Sequence, residues 1–90
     1  MTQKIEISSE VLTQEVGGET VILDLKSESY FGLDEIGTRI WQLLQEQKDV
    51  HTITEAMLNE YDVEEEQLEK DIQNLLTQLN KAGIVTFNSN

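Results

Sequence analysis

The sequence of 90 residues holds no cysteine, no proline and a single histidine. Without cysteine there is no disulfide, no thiolate nucleophile and no thiolate metal site, a usage that suits a reducing cytoplasm. The lone His51 precedes a helical stretch and reads as a surface or capping residue. A serine activated by it would need a third group to orient the imidazole, and none is evident. Phosphate loops are missing too, because Gly17-Gly18 is too short and sits between two strand-like runs. No catalytic set and no cofactor motif emerge, so an enzyme is not expected. Apolar runs reach only three or four residues, far short of a membrane span, and Met1-Thr2-Gln3-Lys4-Ile5-Glu6 has no signal-peptide h-region. A soluble protein of the cytoplasm is the expectation.

Basic residues are scarce. Six Lys and Arg stand against eighteen Asp and Glu, for a formal net charge of −12. Such a field keeps a small protein soluble, repels phosphate backbones and anionic lipid, and steers cationic partners inward. Nucleic-acid and membrane partners are therefore not expected. The hydrophobic fraction is low at 38%, but the apolar residues are periodic, which predicts one folded domain with a single modest core.

Residues 1 to 10 are polar with a weak Ile5/Ile7 alternation, consistent with a flexible arm or a short strand. Val11–Val16 reads as a strand, Gly17-Gly18 as a two-residue hairpin turn and Glu19–Leu25 as the return strand. Alternation puts Val21, Leu23 and Leu25 together, and this is the expected core face. Lys26-Ser27-Glu28 makes a second turn, and Tyr30-Phe31-Gly32-Leu33 closes a three-stranded antiparallel meander with the two aromatic rings on opposite faces.

Three helices follow. The first is predicted over Asp34–Glu46, capped by Asp34, with an apolar stripe of Ile36, Ile40, Leu43 and Leu44 and Trp41 at its border. Gly37 sacrifices helix propensity, which predicts another backbone, a strand, in close approach. The second opens at a capping box, Thr52-Ile53-Thr54-Glu55, and buries Ile53, Ala56, Met57 and Tyr61. The third runs from Glu64 to Ala82, opened by Asp62 and Glu65, with Leu68, Ile72, Leu75, Leu76 and Leu79 as its stripe. Gly83 suits a Schellman cap with Ile84 folding back on Leu79, after which Val85-Thr86-Phe87 adds a strand and residues 88–90 a tail. Each of the five glycines is thereby assigned a structural role, and the chain reads as one α+β domain over 11–87, winged helix-turn-helix-like.

Three site classes fail on this layout. The run Asp62-Val63-Glu64-Glu65-Glu66 lacks the central glycine and alternating oxygen ligands of a calcium loop, and is better explained by carboxylates at a helix amino terminus. No serine opens a helix ahead of leucine, as an acyl carrier would require. The first turns of the third helix carry Glu64, Glu65, Glu66, Glu69 and Asp71 against Lys70 alone, the wrong sign for a DNA-reading helix. What remains is a strand edge. Tyr30-Phe31-Gly32-Leu33 carries neither charge nor proline to blunt it, and a groove between it and the third helix would accept an extended peptide as a further strand. The alternative use of the same edge is dimerisation or domain swapping.

The order strand, Asp24-Leu25, turn, Tyr30-Phe31-Gly32-Leu33-Asp34, Gly37 and Ile40-Trp41 resembles the PqqD-like family. The match continues through Tyr61-Asp62-Val63, Asp71, Leu76/Leu79 and Gly83-Ile84. Members act as recognition elements for ribosomally synthesised, post-translationally modified (RiPP) precursor peptides. The resemblance implies a non-catalytic domain that binds a leader peptide as an added strand and presents it to a modifying enzyme, such as a leader peptidase or a radical enzyme. Carried over, the backbone contacts fall on Ser29, Tyr30, Phe31 and Gly32. The helix wall is then formed by Leu68, Asp71, Ile72 and Leu75, with Asn74. Members devoted to pyrroloquinoline quinone carry a Pro-Glu-Gly stretch before the hairpin return and commonly asparagine after the leucine. This chain has no proline, and Asp34 stands at the latter position. Its size is similar to the small recognition proteins of lasso-peptide pathways, which work beside a separate cysteine peptidase.

Overall fold

The computed structural model describes residues 3–46 and 49–89. Its elements run β1 (Gln3–Ile7), β2 (Val11–Val16), β3 (Glu19–Asp24), β4 (Ser29–Leu33), α1 (Glu35–Gln45), α2 (Val50–Glu60), α3 (Glu65–Lys81) and β5 (Val85–Ser89). Strands β2-β3-β4 form an antiparallel sheet in that order, and β1 pairs antiparallel with β5 in a sheet of its own. The architecture is α+β, a three-stranded antiparallel sheet followed by three helices.

The β2–β3 hairpin closes on Gly17 and Gly18, with φ of 61° and 84°. A two-residue primed turn needs positive φ at both positions, where side chains are strained. The carboxy-terminal stop of α3 follows the Schellman pattern closely. Gly83 sits at φ 79°, the Ile84 amide donates to the Leu79 carbonyl at 2.9 Å, and the Gly83 amide donates to Asn80 at 3.0 Å. Ile84 and Val85 are thereby turned into the core, and β5 continues two residues past Phe87 along β1.

Several expectations need correction. The inward face of β3 is Thr20, Ile22 and Asp24, while Val21 and Leu25 are exposed. Period two defines two faces and leaves the choice to whatever packs on the sheet. Here α1 lies over the Ile22 side, where the Gln42 amide reaches Glu15 Oε1 at 2.6 Å. Burial of Asp24 is tolerated because its carboxylate accepts from the Lys26 amide at 3.1 Å and the Ser27 hydroxyl at 2.9 Å. The nearest neighbours of Gly37 are side chains and not a foreign backbone: a Cβ there would stand 3.2 Å from Asp34 Oδ1 and 3.3 Å from Leu33 Cβ. The crowding comes from the cap and the strand end just before the helix.

Helix α2 starts earlier than the capping box implied, because Asp49 supplies the cap by accepting from the Thr52 amide at 2.7 Å. Helix α3 starts after Glu64, with no side-chain cap bond, so Asp62 does not cap it.

The core gathers Ile22 and Leu33 from the sheet, Ile40, Trp41, Leu43 and Leu44 from α1, and Ile53 and Met57 from α2. Leu68, Ile72, Leu76 and Leu79 come from α3. Trp41, expected at the border of its stripe, is only 2% exposed. Each such side chain contributes about 1.5–3 kcal/mol of burial. No described helix is long and apolar enough to cross a membrane.

Candidate functional site

Among the described residues, strand β4 pairs with β3 on one side and with no strand on the other. Its register sets Phe31 opposite Ile22 and Leu33 opposite Thr20 on the inner face, and Tyr30 opposite Leu23 and Gly32 opposite Val21 on the outer face. The two aromatic rings thus part: Phe31 is half-buried and Tyr30 is 78% exposed. The turn before β4 is held by Asp24 and by a 2.6 Å hydrogen bond between the Ser27 and Ser29 hydroxyls, with Glu28 at φ 59°. At the other end of β4, Asp34 Oδ1 accepts from the Gly37 amide at 2.8 Å and starts α1. Both ends of the strand are anchored, while its outer edge is left open.

Across from that edge stands α3. It packs against α2 and β5, and a groove separates its other flank from β4. Asp71, Asn74, Leu75 and Gln78, spaced three, four and seven residues along the helix, share this flank. Together the two elements and the start of α1 bound an open groove of about 510 Å³. Its apolar lining comes from Phe31, Leu33, Ile36, Ile40 and Leu75, and its polar lining from Asp71, Asn74 and Gln78, with Asp34 at the α1 end. Among the described residues no basic side chain lines it. Asp71 Oδ1 accepts from the Gln67 amide at 3.0 Å.

Of the residues expected at the site, Phe31, Gly32, Asp71, Asn74 and Leu75 line this groove. Ser29 and Tyr30 lie on the same strand but outside the lining. Leu68 and Ile72 are core residues, 3% and 0% exposed, and lie beside Leu75 on the core-facing side of the helix, outside the groove lining. Sequence reasoning had Leu33 on the strand edge but missed Asp34, Ile36, Gly37, Ile40 and Gln78 as groove lining. Gln78 was within reach of a periodicity argument, being four residues beyond Asn74. The α1 contribution was not, since it depends on the angle at which α1 leaves β4.

Titration shifts are structural here. The Arg39 guanidinium hydrogen-bonds Glu60 through Nε at 2.7 Å and a second nitrogen at 2.8 Å, holding Glu60 below the usual carboxylate range and raising Arg39. The Thr52 amide holds Asp49 low in the same way. None of these groups lines the groove. His51 is exposed and pairs with Glu55 at 3.1 Å. Among the described residues no cluster of His, Asp and Glu is arranged to hold a metal ion. A strand edge over a trough of mixed apolar and polar lining is suited to hold an extended peptide.

The sequence matches the family described as coenzyme PQQ synthesis protein D, PqqD, over residues 19–85, from β3 to the start of β5. This chain belongs to the PqqD family. Both walls of the groove lie within the matched region. Two solved structures share the fold of this PqqD-family chain. TbiB1 in complex with the TbiA(beta) leader peptide is 34% identical, with a TM-score of 0.87, over 94% of this chain and 99% of that one. A lasso peptide synthetase B1 complexed with the leader peptide is 25% identical, with a TM-score of 0.83, over 92% and 98%. No curated protein sequence gives a significant match.

Proposed function

We propose that this PqqD-family domain captures the leader of a ribosomally synthesised precursor peptide as an antiparallel strand on β4 and presents it to a biosynthetic enzyme. The observation that carries the reading is the open β4 edge facing the groove against α3, in a fold whose similar structures are complexes with leader peptides. Backbone pairing along Ser29–Gly32 supplies register and part of the affinity. Phe31 and Leu75 take apolar side chains, and Asp71 and Asn74 offer polar contacts. Leu68 and Ile72 act from beneath, by fixing the helix that carries the wall. The domain is non-catalytic and works in the cytoplasm, with residues 11–87 as the recognition unit and β1 buttressing it through β5. Its enzyme is a leader peptidase, and the likeness to lasso peptide synthetase B1 favours a lasso-peptide pathway over quinone synthesis.

The outer face of the sheet is the surface left for that enzyme. Leu12, Leu23 and Tyr30 form one row across three strands, and Val21 adjoins it; Leu12, Val21 and Tyr30 are exposed. A leader strand on β4 would extend this same face, so one partner can read domain and leader together. The same apolar face favours a second reading, a homodimer stacked sheet on sheet. Light scattering separates the two, because a stable dimer of twice the chain mass that cannot bind leader supports the second.

The direct test is fluorescence anisotropy with a labelled synthetic leader of the precursor encoded beside the gene. Saturable binding at micromolar concentrations is expected, and no binding at tens of micromolar by the folded domain would sink the reading. Proline scanning of β4 refines it. Amides of alternate residues face β3 or the open edge, so proline at an edge-facing position removes a donor to the peptide while sparing the β3 ladder.

A further inference from the structure

Four of the five glycines are explained by the fold itself. Gly17, Gly18 and Gly83 hold positive φ, and Gly37 lies against Leu33 and Asp34. Gly32 has no such reason. Its φ is ordinary, and a Cβ built on it meets no atom within 4 Å. It is exposed in the interior of β4, where glycine weakens a strand and any β-former would strengthen it. The assignment of a structural role to every glycine therefore fails at this one, which lies on the proposed peptide edge.

We infer that Gly32 is kept bare for the bound peptide: the leader residue facing it carries a large apolar side chain that lies across the glycine and reaches Val21. The inference rests on the leader reading and deepens it by naming a specificity position. On the outer face Gly32 stands directly opposite Val21, which is 44% exposed, and its other side is the open edge. Strands pair about 4.8 Å apart, so a residue on an added strand opposite position 32 points to this same face. A flat or branched side chain there can bridge one strand if the intervening residue has no side chain, the packing by which aromatic residues cover glycines in sheets. Tyr30, on the same face two residues away, would flank it. An alanine at 32 narrows that passage and a valine closes it.

The experiment compares wild type, Gly32→Ala and Gly32→Val, using thermal melting followed by Trp41 emission and anisotropy with the labelled leader. Both variants should melt at or above the wild-type temperature. Leader affinity should fall in the order wild type, alanine, valine, by about tenfold or more for valine. Shortening the leader one position at a time to alanine should restore binding to Gly32→Val at a single position, and the same change should weaken binding to wild type. Valine binding within about twofold of wild type overturns the inference while leaving leader capture intact. So does a lower melting temperature for both variants, which would assign the glycine to the fold, or oligomerisation of Gly32→Val with unchanged affinity, which would make it an edge guard. Failure of the wild type to bind leader at all overturns both readings.

Discussion

Asp34 and Gly37 meet at the corner between β4 and α1: the Asp34 carboxylate accepts from the Gly37 amide at 2.8 Å. A Cβ on Gly37 would stand 3.2 Å from that same oxygen. The cap can close down on the first helical turn because residue 37 has no side chain. Both residues also line the groove, so this corner is where local helix chemistry and the candidate site are coupled.

Removing the cap should cost stability without changing the fold. Asp34→Ala is expected to lose about 1 kcal/mol and Asp34→Asn far less, since the amide oxygen caps equally well. Urea unfolding followed by the emission of Trp41, which is buried, measures both.

Crowding at Gly37 is expected to outweigh the helix propensity that a side chain would bring. Gly37→Val places two further carbons against Leu33 and Asp34 and should destabilise by about 1–3 kcal/mol. Leader affinity should fall with it, because the displaced Leu33 is part of the groove lining. Equal stability of variant and wild type in the same urea titration would show that the corner relaxes freely.

The inward face of β3 can be tested by truncating adjacent residues. Ile22→Ala should cost about 2–5 kcal/mol, since Ile22 is 0% exposed. Val21→Ala should stay within about 0.5 kcal/mol in the free domain. Reversal of that order in denaturant melts would restore the Val21 side as the core face.

Acid should weaken two surface anchors. Glu60 is held low by its hydrogen bonds from Arg39, and Asp49 by its bond from the Thr52 amide. A carboxylate depressed by folding stabilises the folded state above its unfolded pKa, about 4, and that contribution is lost as pH falls through the folded value. The Arg39–Glu60 pair is partly exposed, so its contribution is about 1 kcal/mol or less. Glu60→Gln should lower Tm by a few degrees near neutrality, and the gap to wild type should close in melts below pH about 4. A gap that widens toward low pH would contradict the assignment.

Part of the candidate groove was legible before any coordinates. The uncharged Tyr30–Leu33 edge and the split of Tyr30 from Phe31 follow from composition and period two, Leu75 from period 3.6, and Asp71 and Asn74 from the resemblance alone. Leu68 and Ile72 came to the wall through the resemblance, and the apolar stripe they share with Leu75 does not mark which of its members lie at its border. Leu75 is at the border and half-buried; Leu68 and Ile72 are at its centre and buried.

The sequence alone determined what short-range chemistry controls. Gly17-Gly18 turns the hairpin, Asp34 starts a helix and Gly83 stops one, because the angles and hydrogen bonds concerned span only a few residues. Its charge balance of −12 likewise needed no fold to argue against nucleic acid. Only the tertiary structure decided which face of β3 is inside. Both faces of that strand carry apolar residues, and the choice went to Ile22 through α1 packing above it and the turn bonds that let Asp24 be buried. It also separated Gly32 from the other glycines, since a reason for a missing side chain lies in the space around it, and around Gly32 the chain itself leaves that space empty.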